Sequence, residues 1–140
     1  MKDIKSLLPH REPFLFVDRL VSRDDTSVVG EYVFTAECND FFQGHFPGNP
    51  IVPGVILVES MAQVCAASVV AGGSFGDCAP VFLLAGVSDV RFIHPVRPGD
   101  KLVTRATNGR SRGSYYSFVA EGFVGEEKVV KATLKCFVEA

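Results

Sequence analysis

The stretch GHFPGNPIVPGVILVESMAQ, Gly44 to Gln63, decides how this chain is read. Its first half sets Gly and Pro punctuation around one histidine, His45. Its second half is almost wholly apolar, broken by Glu59 and by Gln63 four residues later. Val55 to Ala71 has the length and composition of a helix. Pro53 suits the first helical position and Gly72-Gly73 marks the end. Seventeen residues span about 25 Å at 1.5 Å per residue. The segment is apolar nearly all round, so other elements must wrap it on most sides.

Outward from that segment the signals are strands. Ile4 to Leu8 reads as a short helix or turn stopped by Pro9. Phe14 to Ser22 is β-prone. RDDT is a turn signal, and Ser27 to Thr35 places Val28, Tyr32 and Phe34 on one face. After the loop SFGDCAP come Val81 to Ile93, bent at Gly86, then the turn HPVRPGD, Lys101 to Asn108 and the turn GRSRG. Ser114 to Val124 alternates Tyr116, Phe118, Ala120 and Val124. Lys128 to Glu139 alternates Val130, Ala132, Leu134, Cys136 and Val138. Short turns between successive strands predict an antiparallel sheet, and the efficient burial is an α+β layout with that sheet curved around the helix. One helix covers little of such a sheet, so an edge strand or the loop face is expected to meet a second subunit.

Composition narrows the function. The chain has 140 residues, 47% hydrophobic and 21% charged, with a formal net charge of -2. That fits one domain over residues 1–140 with a real core, and there is no basic tract of the kind that marks a nucleic-acid surface. Cys38, Cys65, Cys78 and Cys136 are scattered, with neither CxxC pairs nor zinc-ligand spacing, so a reducing cytosol is expected. The first residues hold no signal-peptide core. Ile51 to Ala71 approaches membrane-spanning length, but Pro53, Gly54, Glu59 and Gln63 interrupt it. A mid-span charge costs about 2.5–3.5 kcal/mol on insertion scales, so a buried helix is expected instead of membrane insertion.

Three histidines are present. His10 and His94 adjoin prolines and read as structural or solvated turn residues. His45 has a rigidly aimed backbone. Glu59, if it faces the interior, is driven towards the neutral acid by desolvation, and Gln63 lies one turn on, in reach to orient it. An imidazole and a carboxylic acid make a general acid/base pair. The helix start at Gly54, Val55 and Ile56 presents unpaired N–H groups able to polarise a carbonyl, and Gly54 admits close approach. These parts suit proton removal beside a carbonyl with an acid at the leaving group.

LLPHREPFLFVDR, the Gly44–Gln63 stretch and LAGVSDVRFIHPVRPGDKL together resemble the (3R)-hydroxyacyl-[acyl-carrier-protein] dehydratases of bacterial type II fatty acid synthesis, the FabZ family. The resemblance covers nearly the whole chain. It implies a hot-dog fold and a homodimer with active sites at the subunit interface, often assembled as three dimers. It implies His45 as the base and Glu59, from the partner subunit, as the acid. It implies Gly54 as the N–H that holds the thioester carbonyl and Gln63 as the residue that orients Glu59. Val55, Phe46, Phe82 and Phe92 are expected around the acyl chain, although each phenylalanine fits plain core equally well. No metal or redox cofactor is implied. The partner is an acidic acyl carrier protein, for which Arg91, Arg97, Lys101 and Arg105 are a candidate landing area, or else solvated faces. Related isomerising enzymes carry Asp at the position of Glu59. Ser60, Val52 and Glu12 depart from residues common in the family and leave chain length and pathway open, lipid A precursor synthesis included. A hot-dog thioesterase and a non-catalytic carrier-binding subunit are the competing expectations.

Overall fold

The computed structural model describes residues 3–44, 48–73 and 80–139. In chain order the elements are α1 (Ile4–Leu7), β1 (Arg19–Arg23), β2 (Ser27–Val33), α2 (Phe41–Gly44), α3 (Gly54–Ala71), β3 (Val81–Phe92), β4 (Lys101–Arg112), β5 (Tyr115–Val124) and β6 (Glu127–Glu139). The strands form a six-stranded sheet in the order β1-β2-β4-β5-β6-β3, with every pairing antiparallel. The expected α+β layout, an antiparallel sheet around one central helix, is the one observed.

α3 is the rod of the structure. It is long and apolar enough to cross a membrane by composition, yet 67% of it is buried inside the fold. Met61, Cys65 and Ala67 are completely buried, and Ala62 and Ala66 nearly so. These small side chains let the sheet come close. At Gly30 on β2 an added Cβ would meet the two methyl carbons of Val64 at 2.8 and 3.0 Å, and at Gly122 on β5 it would meet Val130 and Leu102 at 2.6 and 2.9 Å. Glycine here makes room for the helix on one side and for cross-strand packing on the other.

Three boundaries differ from the sequence reading. Pro53, with φ -57° and ψ 137°, caps α3 instead of occupying its first turn. Residues 14–18 are not strand, because side chains of α3 take the backbone groups of Phe14 and Phe16. The first strand begins only at Arg19. β4 runs through the expected GRSRG turn to Arg112, with an irregularity between Asn108 and Arg110, and the chain reverses at Gly113, φ +61°. β3 has the expected irregularity at Gly86, between Leu84 and Gly86, and a second between Ser88 and Arg91, where Asp89 takes φ 53°. The loop at 74–79, with Cys78, lies outside the described residues.

β3 ends the sheet. Its residues are only intermediate or exposed along its whole length, and Val81, Leu83, Leu84, Val87 and Phe92 all show more than two-fifths of their surface. An apolar edge strand with open N–H and C=O groups is a surface made for pairing. Replacing Gly30 by Ala is expected to destabilise the protein by about 1–3 kcal/mol, since β-branched Val64 in a helix has little freedom to yield. Urea unfolding monitored by circular dichroism measures this.

Candidate active site

Gln63 organises the helix face that carries Glu59. It is 1% exposed. Its Oε1 accepts the Phe16 N–H at 2.7 Å, while its Nε2 donates to the Phe14 carbonyl at 3.0 Å and to Glu59 Oε2 at 2.8 Å. The amide orientation follows from these partners, because a backbone N–H demands the oxygen and two acceptors demand the NH2. Ser60 adds a second staple, its Oγ donating to the Phe16 carbonyl at 2.7 Å. Segment 14–17 is thereby pinned across α3, with Leu15, Phe16 and Val17 buried beneath it.

Glu59 is not sunk in hydrocarbon as its apolar neighbours in sequence suggested. Its side chain is 21% exposed, and His10 Nε2 stands 3.7 Å from Glu59 Oε2. The two share a cavity of about 30 Å3 with Ala62, Gln63, Ala66, Phe82, Leu84 and Cys136, space for a water but not for an acyl thioester. Burial pushes the Cys136 thiol up to about 11, with the Glu59 carboxylate adding to the effect. Burial likewise raises Cys65. Both thiols are therefore neutral near pH 7 and behave as small hydrophobic groups.

A second cavity, of about 450 Å3, opens at the N-terminus of α3. It is lined by Gly54, Val55, Ile51, Phe92 and His94 among others. Intrahelical bonding starts with Ile56 N–H to the Pro53 carbonyl at 2.9 Å, so the donors of Gly54 and Val55 lie ahead of it. The Phe92 ring rests on Gly54, where a Cβ would stand 2.8 Å from it. Only glycine permits this packing.

The structure thus divides the residues singled out in the sequence. Glu59, Gln63 and Phe82 meet at one cavity, and Gly54, Val55 and Phe92 meet at the other. Five residues apart on a helix, Gly54 and Glu59 point about 140° away from each other. His45 and Phe46 lie outside the described residues. His10 and Ser60 were underrated. His10 read as a turn residue, since nothing local in LPHREP shows that it meets a side chain 49 positions on. Of the basic candidates, Arg97 Nη1 donates to Asn49 Oδ1 at 2.5 Å, Lys101 Nζ lies 3.5 Å from Glu31, and Arg105 sits over the Phe123 ring at 5.7 Å.

Known proteins resemble this chain in sequence and fold. A family model described as the FabA-like domain matches residues 8–133. The chain belongs to this FabA-like family. It is 37% identical over 140 residues to a 3-hydroxyacyl-[acyl-carrier-protein] dehydratase FabZ of Wolbachia sp. subsp. Brugia malayi (strain TRS), covering 99% of this chain and 96% of that one. It is 40% identical over 139 residues to the protein of the same name from Syntrophobacter fumaroxidans, covering 98% and 92%. Among solved structures, the dehydratase heterocomplex ApeI:P from Xenorhabdus doucetiae superposes with a TM-score of 0.86 at 18% identity, over 100% of this chain and 93% of that one. That likeness shows the fold, which is the hot-dog fold expected from the sequence.

Replacing Gln63 by Leu orphans the Phe16 N–H and the Phe14 carbonyl together. The expected loss is about 2–4 kcal/mol of stability, at about 1–3 kcal/mol per buried unpaired group. The midpoint of denaturant unfolding checks it.

Proposed function

We propose that this chain is a 3-hydroxyacyl-[acyl-carrier-protein] dehydratase of fatty acid biosynthesis, removing water from a (3R)-hydroxyacyl thioester to give the trans-2-enoyl product. The observation that carries the reading is a carboxyl oriented by a buried amide, Glu59 on Gln63, in a chain 37% identical to a dehydratase over nearly its full length. His45 takes a proton from Cα. The C–H electron pair becomes the Cα=Cβ bond as the Cβ–O bond breaks. Glu59 gives its proton to the departing hydroxyl, which leaves as water. Because Gln63 engages Oε2, the proton to be given is assigned to Oε1. Negative charge gathering on the thioester oxygen during proton removal is met by the Gly54 N–H at the positive end of α3. Val55, Phe46, Phe82 and Phe92 flank the acyl chain.

Two chains are needed for this chemistry. Gly54 and Glu59 diverge around α3, and the cavity at Glu59 holds no substrate by itself. Pairing through the exposed edge of β3 is the interface we assign to a homodimer, with three dimers as the higher assembly. Each site then combines the His45 loop of one subunit with Glu59 of the other. The carrier protein is acidic and brings its substrate on a phosphopantetheine arm, and Arg91, exposed on β3, is the basic residue nearest that interface in sequence. We place the protein in the cytoplasm, as one domain over residues 1–140, acting on neither nucleic acid nor membrane and using no cofactor.

His45→Ala and Glu59→Gln are each expected to lower kcat by about 10²–10⁴-fold, the range for a lost acid or base, with an unchanged circular dichroism spectrum. Mass spectrometry of 3-hydroxybutyryl carrier protein after incubation reads the loss of water. Near-normal dehydration by either variant sinks the assignment, and release of free hydroxy acid instead of water identifies a thioesterase. Placing a charge on the edge strand, Val87→Lys, is expected to shift the protein to monomer in sedimentation velocity and to abolish turnover with it.

A further inference from the structure

His10 is held more firmly than a turn residue requires. The guanidinium of Arg11 folds back over the end of α1, with Nη1 donating to the Leu8 carbonyl at 2.8 Å and to the His10 carbonyl at 2.6 Å, and Nη2 to the Lys5 carbonyl at 3.0 Å. This fixes the backbone of His10 opposite α3. One ring nitrogen, Nε2, then stands 3.7 Å from Glu59 Oε2. The other, Nδ1, is buried with no hydrogen-bond partner among the described residues.

That asymmetry has a chemical consequence. A neutral imidazole has one N–H, whereas an imidazolium has two and needs an acceptor for each. Here Nδ1 has none among the described residues, and Glu59 is the one anionic acceptor among them that faces Nε2. A proton on Nε2 therefore has Glu59 as its acceptor while Glu59 is a carboxylate, and none among the described side chains once Glu59 holds a proton. The other titratable groups around the ring leave this pairing alone. Cys136, across the cavity on β6, is a neutral thiol. On the ring's own segment, Arg11 is turned to carbonyls, and Lys5 is paired with Glu12 at 3.1 Å. The facing β3 residues, Phe82 and Leu84, carry no charge.

We propose that His10 is a positioning residue that shares one exchangeable proton with Glu59 and returns it to the carboxylate after each dehydration. The inference rests on Glu59 acting as the acid. After the step, Glu59 is a carboxylate and water has left. The His10 ring, now facing a carboxylate, takes a proton from solvent, to which its side chain is 21% exposed. It then passes its Nε2 proton to Oε1 of Glu59 through the single water for which the cavity has room, and the ring is neutral again. No electrons change hands: one solvent proton enters at His10 to replace the one lost in water, and the proton that His45 took from Cα leaves to solvent.

The test uses the full-length protein labelled with carbon-13 at the glutamate carboxyls, followed by NMR from about pH 4 to pH 9, the span that covers free carboxylates and imidazoles. Glu59→Gln assigns the Glu59 signal. The wild-type Glu59 signal is expected to show two inflections, one shared with the His10 ring nitrogens. His10→Gln keeps an amide donor near Oε2 without a titrating group, and His10→Asn serves if the former does not fold. In either variant the shared inflection is expected to vanish. The kcat should fall at least about tenfold with KM within about twofold, and the pH profile of kcat should lose one limb. A Glu59 titration curve identical in wild type and variant overturns the proposal, and so does an unchanged kcat profile. The NMR coupling is read without substrate, so it stands apart from the dehydration assay of Glu59→Gln, whose persistence would remove the proposed reaction instead.

Discussion

One buried amide ties the fold to the chemistry. Gln63 has no room to adjust, and its three hydrogen bonds engage two backbone groups of segment 14–17 and one carboxylate oxygen. A side chain already committed to holding the chain together sets the direction of Glu59 at no further entropic cost. Precise placement of an acid is worth far more to a reaction than its mere presence. Ser60 repeats the arrangement one residue after Glu59, so the proposed acid sits beside two staples on a rod that is mostly packed.

The rod is the reason the proposed reaction needs a second subunit. A helix wrapped on most sides by a sheet has little free surface for a substrate, and the candidate site residues of this one lie at its N-terminus and on the Glu59 face. These diverge. Meanwhile the sheet ends on β3, an apolar edge exposed on both faces and bent at two irregularities. Under the proposed reading, a second copy meeting this edge brings a donor and an acid to one acyl chain.

The same economy explains the glycines. Gly30 and Gly54 each give up a side chain to let a neighbour approach, Val64 in the first case and Phe92 in the second. Under the proposed reading the consequence at Gly54 is chemical, because a bare backbone N–H at the positive end of a long helix is a donor already held in place.

Local pattern was enough for the fold class, the long helix and the residue pair Glu59 and Gln63. Periods of 2 and 3.6 in hydrophobicity report directly which face is buried, and a four-residue spacing on a helix is a contact. Boundaries were less legible. Phe14 to Val17 has strand composition, but its hydrogen bonds go to Gln63 and Ser60, and no local rule anticipates a partner nearly fifty residues away. His10 was missed for the same reason. A histidine between prolines looks idle until the chain folds back and sets it 3.7 Å from Glu59. Side-chain chemistry and periodicity are properties of neighbours in sequence, and so sequence alone determined them. The identity of the group facing a given carboxyl is a property of neighbours in space, and only the tertiary structure decided it.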